Sequence, residues 1–324
     1  MMNSTMSRTN DNVYYNIRIN SETSQGRAFY DENRVAPILN NPSEYELAIE
    51  RFRIPATDIP IFIWKGDDYF KVTMSYNGID VTEPLVFIPN ISVPDTYGDA
   101  IWNYQELIDI LNVALSNAYT AINIASPGSS PTEAPFLTYD ADTQLLTFNA
   151  EQLYDTNGVP TIDIYFNSPL YLLVPSFQTF SNSQIPLKEY QIIVKNNLNN
   201  ITTIGGKAYY STKQEYNTLS LWNDLVSIAF ETDSVPVSAE KQGDQKNVVK
   251  RIMTDFEPLE DINNRQAFQF YPQGPLRFYD MNSIYPLSRI DLKVYWVDKN
   301  DKSYPIFINE NEVLTVKILF RKKY

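Results

Sequence analysis

The 324-residue chain contains no cysteine and no histidine. The missing thiols exclude disulfides, thiolate nucleophiles, iron–sulfur clusters and zinc–thiolate sites. The missing imidazoles exclude a Ser-His-Asp triad, a Cys-His pair, histidine metal ligands and a histidine pH switch. Only carboxylate, Lys, Tyr or Ser/Thr chemistry is left, so the composition points away from an enzyme. Apolar runs are short as well. The longest, 59–64 and 170–174, fall far below the roughly 20 residues that span a bilayer. Residues 1–12 are polar and lack the apolar centre of a secretory signal, which predicts a soluble chain that is intracellular when made. Positive charge is scarce too. With 26 basic against 39 acidic residues the formal charge is −13, whereas a protein that coats nucleic acid needs a basic face for the phosphates. No direct sequence-specific nucleic-acid contact is expected.

What is abundant is aromatic and turn-forming. Twenty-three Tyr and 17 Phe favour pleated, half-buried surfaces, and 20 Pro punctuate short strands. Residues 1–12 read as a flexible arm. Alternation then begins, with Val13, Tyr15, Ile17 and Ile19 on one strand face. Leu47 and Ile49 share one parity and Phe52 and Ile54 the other, which predicts a β-bulge near Glu50 and Arg51. Asn77-Gly78 between two alternating runs predicts a tight hairpin, and Pro84 puts its return strand at a sheet edge. One amphipathic helix stands out at about 103–122. Its apolar residues recur every three or four positions, Asn103 caps it, and Glu106 completes a capping-box pattern. Residues 181–218 are Asn-rich and weakly patterned, and read as a polar surface excursion or an inserted subdomain. Two further alternating runs, 290–297 and 313–320, close the chain.

Some fifteen strand candidates and one helix predict an all-β jelly-roll sandwich over 13–324. Eight strands suffice for one jelly roll, so the surplus implies added strands, an insertion or a second small sandwich.

Several short patterns were weighed for chemistry. Gly205-Gly206-Lys207 lacks the spacing and the Ser/Thr of a phosphate loop, and reads as a turn. Asp155-Thr156-Asn157-Gly158 and Asp298-Lys299-Asn300-Asp301 carry oxygen ligands but not a full calcium-loop set, and also read as turns. Asp67-Asp68 and Asp31-Glu32 are sequence neighbours, which does not place carboxyls face to face as a glycosidase requires. Lys317, Arg321, Lys322 and Lys323 form a basic tail that either ends a strand in solvent or meets an acidic partner. Tyr14-Tyr15, Tyr209-Tyr210 and the four Trp (Trp64, Trp102, Trp222, Trp296) are stacking candidates or core. No catalytic, cofactor-binding or metal-binding residue is assigned.

The order of features resembles the minor capsid, or penton, proteins of virophages and polinton-like viruses. The likeness runs through YELAIERFRIPATDIP at 45–60, QELIDILNVALSNAY at 105–119 and PFLTYDADTQLLTF at 135–148. It continues through EYNTLSLWNDLVSIAFETDSVPVSAE at 215–240, TDFEP at 254–258, PLSRIDLKVYWVDKND at 286–301 and the terminal VKILFRKK. The resemblance implies a structural protein of an icosahedral dsDNA virion, five copies of which fill each vertex beside the major capsid protein. Two other readings compete with it. One is a compact double jelly-roll major capsid protein, and the other a carbohydrate- or receptor-binding sandwich.

Overall fold

A computed structural model describes residues 3–9, 11–22, 26–57, 59–89, 97–127, 132–158, 160–182, 184–195, 200–242, 249–258, 267–271 and 274–323. The chain divides into two compact units. The first joins Met1–Pro60 to Asp224–Tyr324, and the second, Ile61–Asn223, is inserted between those halves.

The first unit is a sandwich of two six-stranded antiparallel sheets. One runs in the order Asn3–Thr9, Asn12–Asn20, Val313–Lys322, Tyr45–Pro55 and Ala267–Phe270, with Tyr279–Asp280 also on Tyr45–Pro55. The other runs Glu240–Gln242, Val249–Phe256, Leu225–Thr232, Arg289–Asp298 and Ser303–Pro305, with Phe29–Asn33 on the far end of Arg289–Asp298. The alternation seen in the sequence sets the inward faces. Val13, Tyr15, Ile17 and Ile19 are buried beside Leu314, Val316, Ile318 and Phe320, opposite a sheet that buries Ile290, Leu292, Val294 and Trp296. Each such aliphatic side chain contributes about 1.5–3 kcal/mol on burial. Phe52 and Phe270 of one sheet pack on Phe230 and Phe256 of the other, with centroids 4.5–5.7 Å apart.

The bulge lies where parity predicts it. Ile318 pairs Ile49 while Lys317 pairs Arg51, which leaves Glu50 as the extra residue. It keeps both Ile49 and Phe52 on the core side and sends Arg51 and Arg53 outward. The expected N-terminal arm is corrected. Residues Asn3–Thr9 pair as an edge strand on Asn12–Asn20, with Asp11 at φ +60° in the turn. Backbone pairing alone makes this strand, so its sequence carries no apolar alternation.

The second unit holds a four-stranded and a five-stranded antiparallel sheet, the pair Phe62–Ile63 and Ala100–Ile101, and the helix Tyr104–Ala125. The four-stranded sheet runs Ile201–Ile204, Lys207–Lys213, Leu145–Ala150, Phe136–Asp140. The five-stranded sheet runs Thr179–Ser181, Tyr190–Ile192, Asp163–Phe166, Lys71–Tyr76, Ile79–Pro84. The Asn77-Gly78 turn takes the expected positive φ at both residues, and Ile79–Pro84 is an edge strand. Residues 181–218, expected as a surface excursion or an inserted subdomain, lie within this inserted unit. They supply strands to both sheets, and the insertion begins far upstream at Ile61.

Asn103 accepts from the Glu106 amide and Glu106 from the Trp102 amide, so the helix starts as the sequence predicts. By length and composition this helix could cross a bilayer. Its Leu107, Ile108, Leu111, Leu115 and Ile122 are instead buried in the core of the unit with Phe148 and Phe166. On its side, Asn112 donates to the Leu137 carbonyl (3.0 Å) and accepts from the Leu137 amide (2.7 Å), covering the edge of Phe136–Asp140.

In the first unit, buried Asp291 organises the turn after Leu225–Thr232. It accepts from the Thr232 hydroxyl (2.7 Å) and the Asp233 (2.9 Å) and Ser234 (2.7 Å) amides, and also from the Ser234 hydroxyl. Burial pushes its pKa up, but the Ser234 hydroxyl, the Asp233 amide and the Thr232 hydroxyl together outweigh burial and hold it below the ordinary carboxylate value.

Two stability predictions follow from these contacts. Asn112→Ala leaves the Leu137 backbone groups unpartnered and lowers stability by about 1–3 kcal/mol in urea unfolding. Asp291 titrates lower folded than unfolded, so its contribution is complete above its unfolded range near about pH 4. That contribution fades as pH falls through the lower folded value. Asp291→Asn accordingly destabilises at pH 7, and its deficit shrinks as urea melts are repeated from pH 5 down to pH 2. A deficit unchanged across that range contradicts the assignment.

Candidate interaction surfaces

The residues weighed for chemistry are occupied by the fold. Gly205 and Gly206 (φ +57° and +83°) form the tip of the hairpin Ile201–Lys213, and Lys207 pairs with Glu133. Asp155 accepts from the Asn157 amide (3.0 Å), and Asp298 from the Asn300 and Lys302 amides (2.8 and 2.9 Å), so both segments are carboxylate-closed turns. Asp67 accepts from the Trp64 indole (3.0 Å) and the Phe87 amide (2.9 Å), while Asp68 stands in solvent beside Lys71. Asp31 makes a two-pronged pair with Arg289 (2.9 and 2.7 Å), and Glu32 accepts from Tyr15 (2.5 Å) and Tyr30. Neither carboxylate couple faces a common space. Among the described residues, no three Asp or Glu side chains gather as metal ligands.

The basic tail is neutralised within the chain. Lys317 meets Glu50 (2.6 Å), Arg321 meets Glu46, Lys322 meets Glu44 (3.9 Å) and Lys323 meets Asp280 (2.7 Å). The cause is strand order: Val313–Lys322 lies against Tyr45–Pro55, which carries Glu46 and Glu50, with Glu44 just before that strand and Asp280 on the short strand paired to it. Trp64, Trp222 and Trp296 are buried, as are Tyr15, Tyr209 and Tyr210. A sugar-stacking site loses its main platforms to the core.

Two surfaces of the first unit remain uncommitted. The first is apolar and lies on loops. Backbone bonds stitch three segments together: Arg34 to Ser288 (2.8 Å), Ile38 to Leu287 (2.7 Å), Ser43 to Ser283 (2.8 Å) and Asn282 to Pro236 (3.0 Å). On this fixed frame Val35, Ile284 and Tyr285 are 107%, 72% and 76% exposed, beside a recess of about 480 Å³. The Asp291-closed turn supports it, since Ser234 and Pro236 line the recess. Large apolar side chains held in solvent by hydrogen-bonded loops mark a contact surface rather than a mobile end.

The second surface is the outward face of the sheet containing Val313–Lys322. There Arg18, Thr315 and Arg53 stand in one cross-strand row, and Asn16, Lys317 and Arg51 in the next. Both surfaces went unmarked in the sequence. Val35, Ile284 and Tyr285 are single apolar residues in polar loops, and the arginines join only across strands distant in the chain. The signal within reach was the parity flip, which already placed Arg51 and Arg53 opposite the apolar face.

Comparison with known proteins leads to virion structural proteins. A family described as Sputnik minor capsid protein V18/19 matches residues 13–76 and 67–322. Structural protein V19 of Sputnik virophage is 28% identical over 205 residues, covering 57% of this chain and 93% of that protein. Protein V18 of the same virophage, uncharacterized, is 29% identical over 150 residues, covering 37% and 90%. A chain in the 3.5 Å cryo-EM structure of the Sputnik virophage superposes with a TM-score of 0.82 at 27% identity, over 98% of this chain and all of that one. The mavirus penton protein shares the fold at a TM-score of 0.73 and 17% identity, over 96% and 99%. The all-β jelly-roll class expected from the sequence is the class of these capsid neighbours. A major capsid reading is corrected: the second sandwich is inserted within the first, and the matching family is a minor capsid one. The chain belongs to the Sputnik minor capsid protein V18/19 family.

Proposed function

We propose that this chain is the penton of its virion, a non-enzymatic protein of which five copies close a ring at each fivefold vertex and seat against the major capsid protein. The observation that carries this reading is the family match over residues 13–322, supported by a fold correspondence along nearly the whole chain. The fold shared with the mavirus penton protein points the same way. The partners are thus other copies of the chain and the major capsid protein, with assembly inside the host cell.

Ring closure needs each subunit to present two different, complementary faces. The platform of Val35, Ile284 and Tyr285 suits one of them, because aromatic and aliphatic anchors dominate the centres of interfaces. The formal charge of −13 opposes close approach of like subunits. That repulsion falls where salt shortens the screening length, about 8 Å at 0.15 M.

Native mass spectrometry of the purified chain tests the reading, and a pentamer is expected. A trimer would overturn the fivefold ring. Ile284→Asp with Tyr285→Asp is expected to convert pentamer to monomer while leaving the far-UV circular dichroism spectrum of the folded chain unchanged, since exposed positions change stability little. Pentamer yield is expected to rise with NaCl or Ca²⁺, and a flat response removes the electrostatic barrier from the account.

A further inference from the structure

We propose that the outward face around Arg18, Arg51 and Arg53 binds the phosphodiester backbone of a nucleic acid, without reading its bases. The three guanidiniums are exposed, and none makes an ion pair or side-chain hydrogen bond with a described residue. Strand spacing puts Arg18 and Arg53, which flank Thr315, about 10 Å apart, and Arg51 and Arg53 about 7 Å apart along one strand. They border an open recess of about 430 Å³ whose floor is sheet, with Asn16 and Thr315 between them and Tyr271 at its rim, 57% exposed.

The bulge creates this cluster by turning Arg51 and Arg53 to the outside together. Of the nearby carboxylates among the described residues, Glu50 holds Lys317, while Glu312, which accepts from the Thr57 hydroxyl (2.6 Å), keeps its charge and lines an adjoining recess with Arg18 and Arg53 without pairing either. The face thus stays net positive within an acidic chain.

The composition of the patch selects its partner. A protein contact would need an apolar centre, and among the described residues lining this recess the large apolar group that is exposed is Tyr271 at the edge. Arg with Thr, Asn and Tyr is instead the set that contacts phosphate and sugar. Charged and hydroxyl groups that meet phosphate and sugar carry no base preference, and an exposed Tyr can stack on any base. The −13 of the whole chain does not forbid this, because charges beyond about 8 Å are largely screened at physiological salt. The site is local, and the ring stoichiometry does not enter the argument.

Fluorescence anisotropy of labelled dT20 with the full-length protein tests the proposal. Three phosphate contacts predict that log K falls with log salt at a slope of about −2, from about −0.7 per contact on single strands. The combined Arg18→Gln, Arg51→Gln, Arg53→Gln variant is expected to bind at least tenfold more weakly, with its slope near zero and its thermal melt unchanged. The corresponding triple Lys variant is expected to keep the slope. Equal binding of dA20 and dT20, within about threefold, supports backbone recognition, and strong discrimination between them overturns it. Unchanged binding by the triple Gln variant overturns the site. Binding of polyaspartate but not dT20 by the wild-type protein also overturns the proposal, and assigns the face to an acidic protein segment.

Discussion

The first unit is held by its last strand. Val313–Lys322 lies between Asn12–Asn20 and Tyr45–Pro55, so the central ladder of one sheet joins the two ends of the chain. Until that strand arrives, the inward faces of Asn12–Asn20 and Tyr45–Pro55 lack the row of Leu314, Val316, Ile318 and Phe320 between them. Pairings of such long sequence separation must overcome loop closure before they gain any contact energy. The inserted unit has its own core around the helix Tyr104–Ala125 and its own two sheets. That local completeness is what lets a long insertion sit in the chain between Pro60 and Asp224.

The same strand pairing sorts the charges. Lys317, Arg321, Lys322 and Lys323 look like a free basic tail in the sequence, yet strand order lays them along Glu50, Glu46, Glu44 and Asp280. Surface pairs of this kind add little stability. Their consequence is electrostatic: they remove the tail from the surface potential and leave Arg18, Arg51 and Arg53 as its local exception. A single extra residue, Glu50, decides that exception, because a bulge reverses which side chains leave the sheet on either side of it.

Four carboxylates show how polar atoms are used in this fold. Asp155, Asp298, Asp291 and Asp140 all bind backbone amides in turns. A carboxylate engaged this way fixes loop geometry. Loop geometry is what an assembly protein needs, since contacts between subunits form at loops carried on a rigid scaffold. The frame that presents Val35, Ile284 and Tyr285 is an example, with four backbone bonds and the Asp291 turn holding three loop segments in register.

The sequence by itself determined whatever depends on neighbours along the chain. Alternation fixed the buried faces of Val13–Ile19 and Ile290–Trp296, Asn77-Gly78 fixed its hairpin, Asn103 and Glu106 fixed the start of the helix, and the parity flip located the bulge. Each is a local steric or hydrogen-bonding preference that reads directly from residue type and period. The edge strands Asn3–Thr9 and Ile201–Ile204 were not legible, because edge strands are made by backbone pairing, and Tyr190–Ile192 is too short to show a period. The extent of the insertion, the neutralised tail, the arginine face and the apolar platform were decided only by tertiary structure. All four depend on which distant strands and loops become neighbours, and the long-range packing that brings them together leaves no period in the chain.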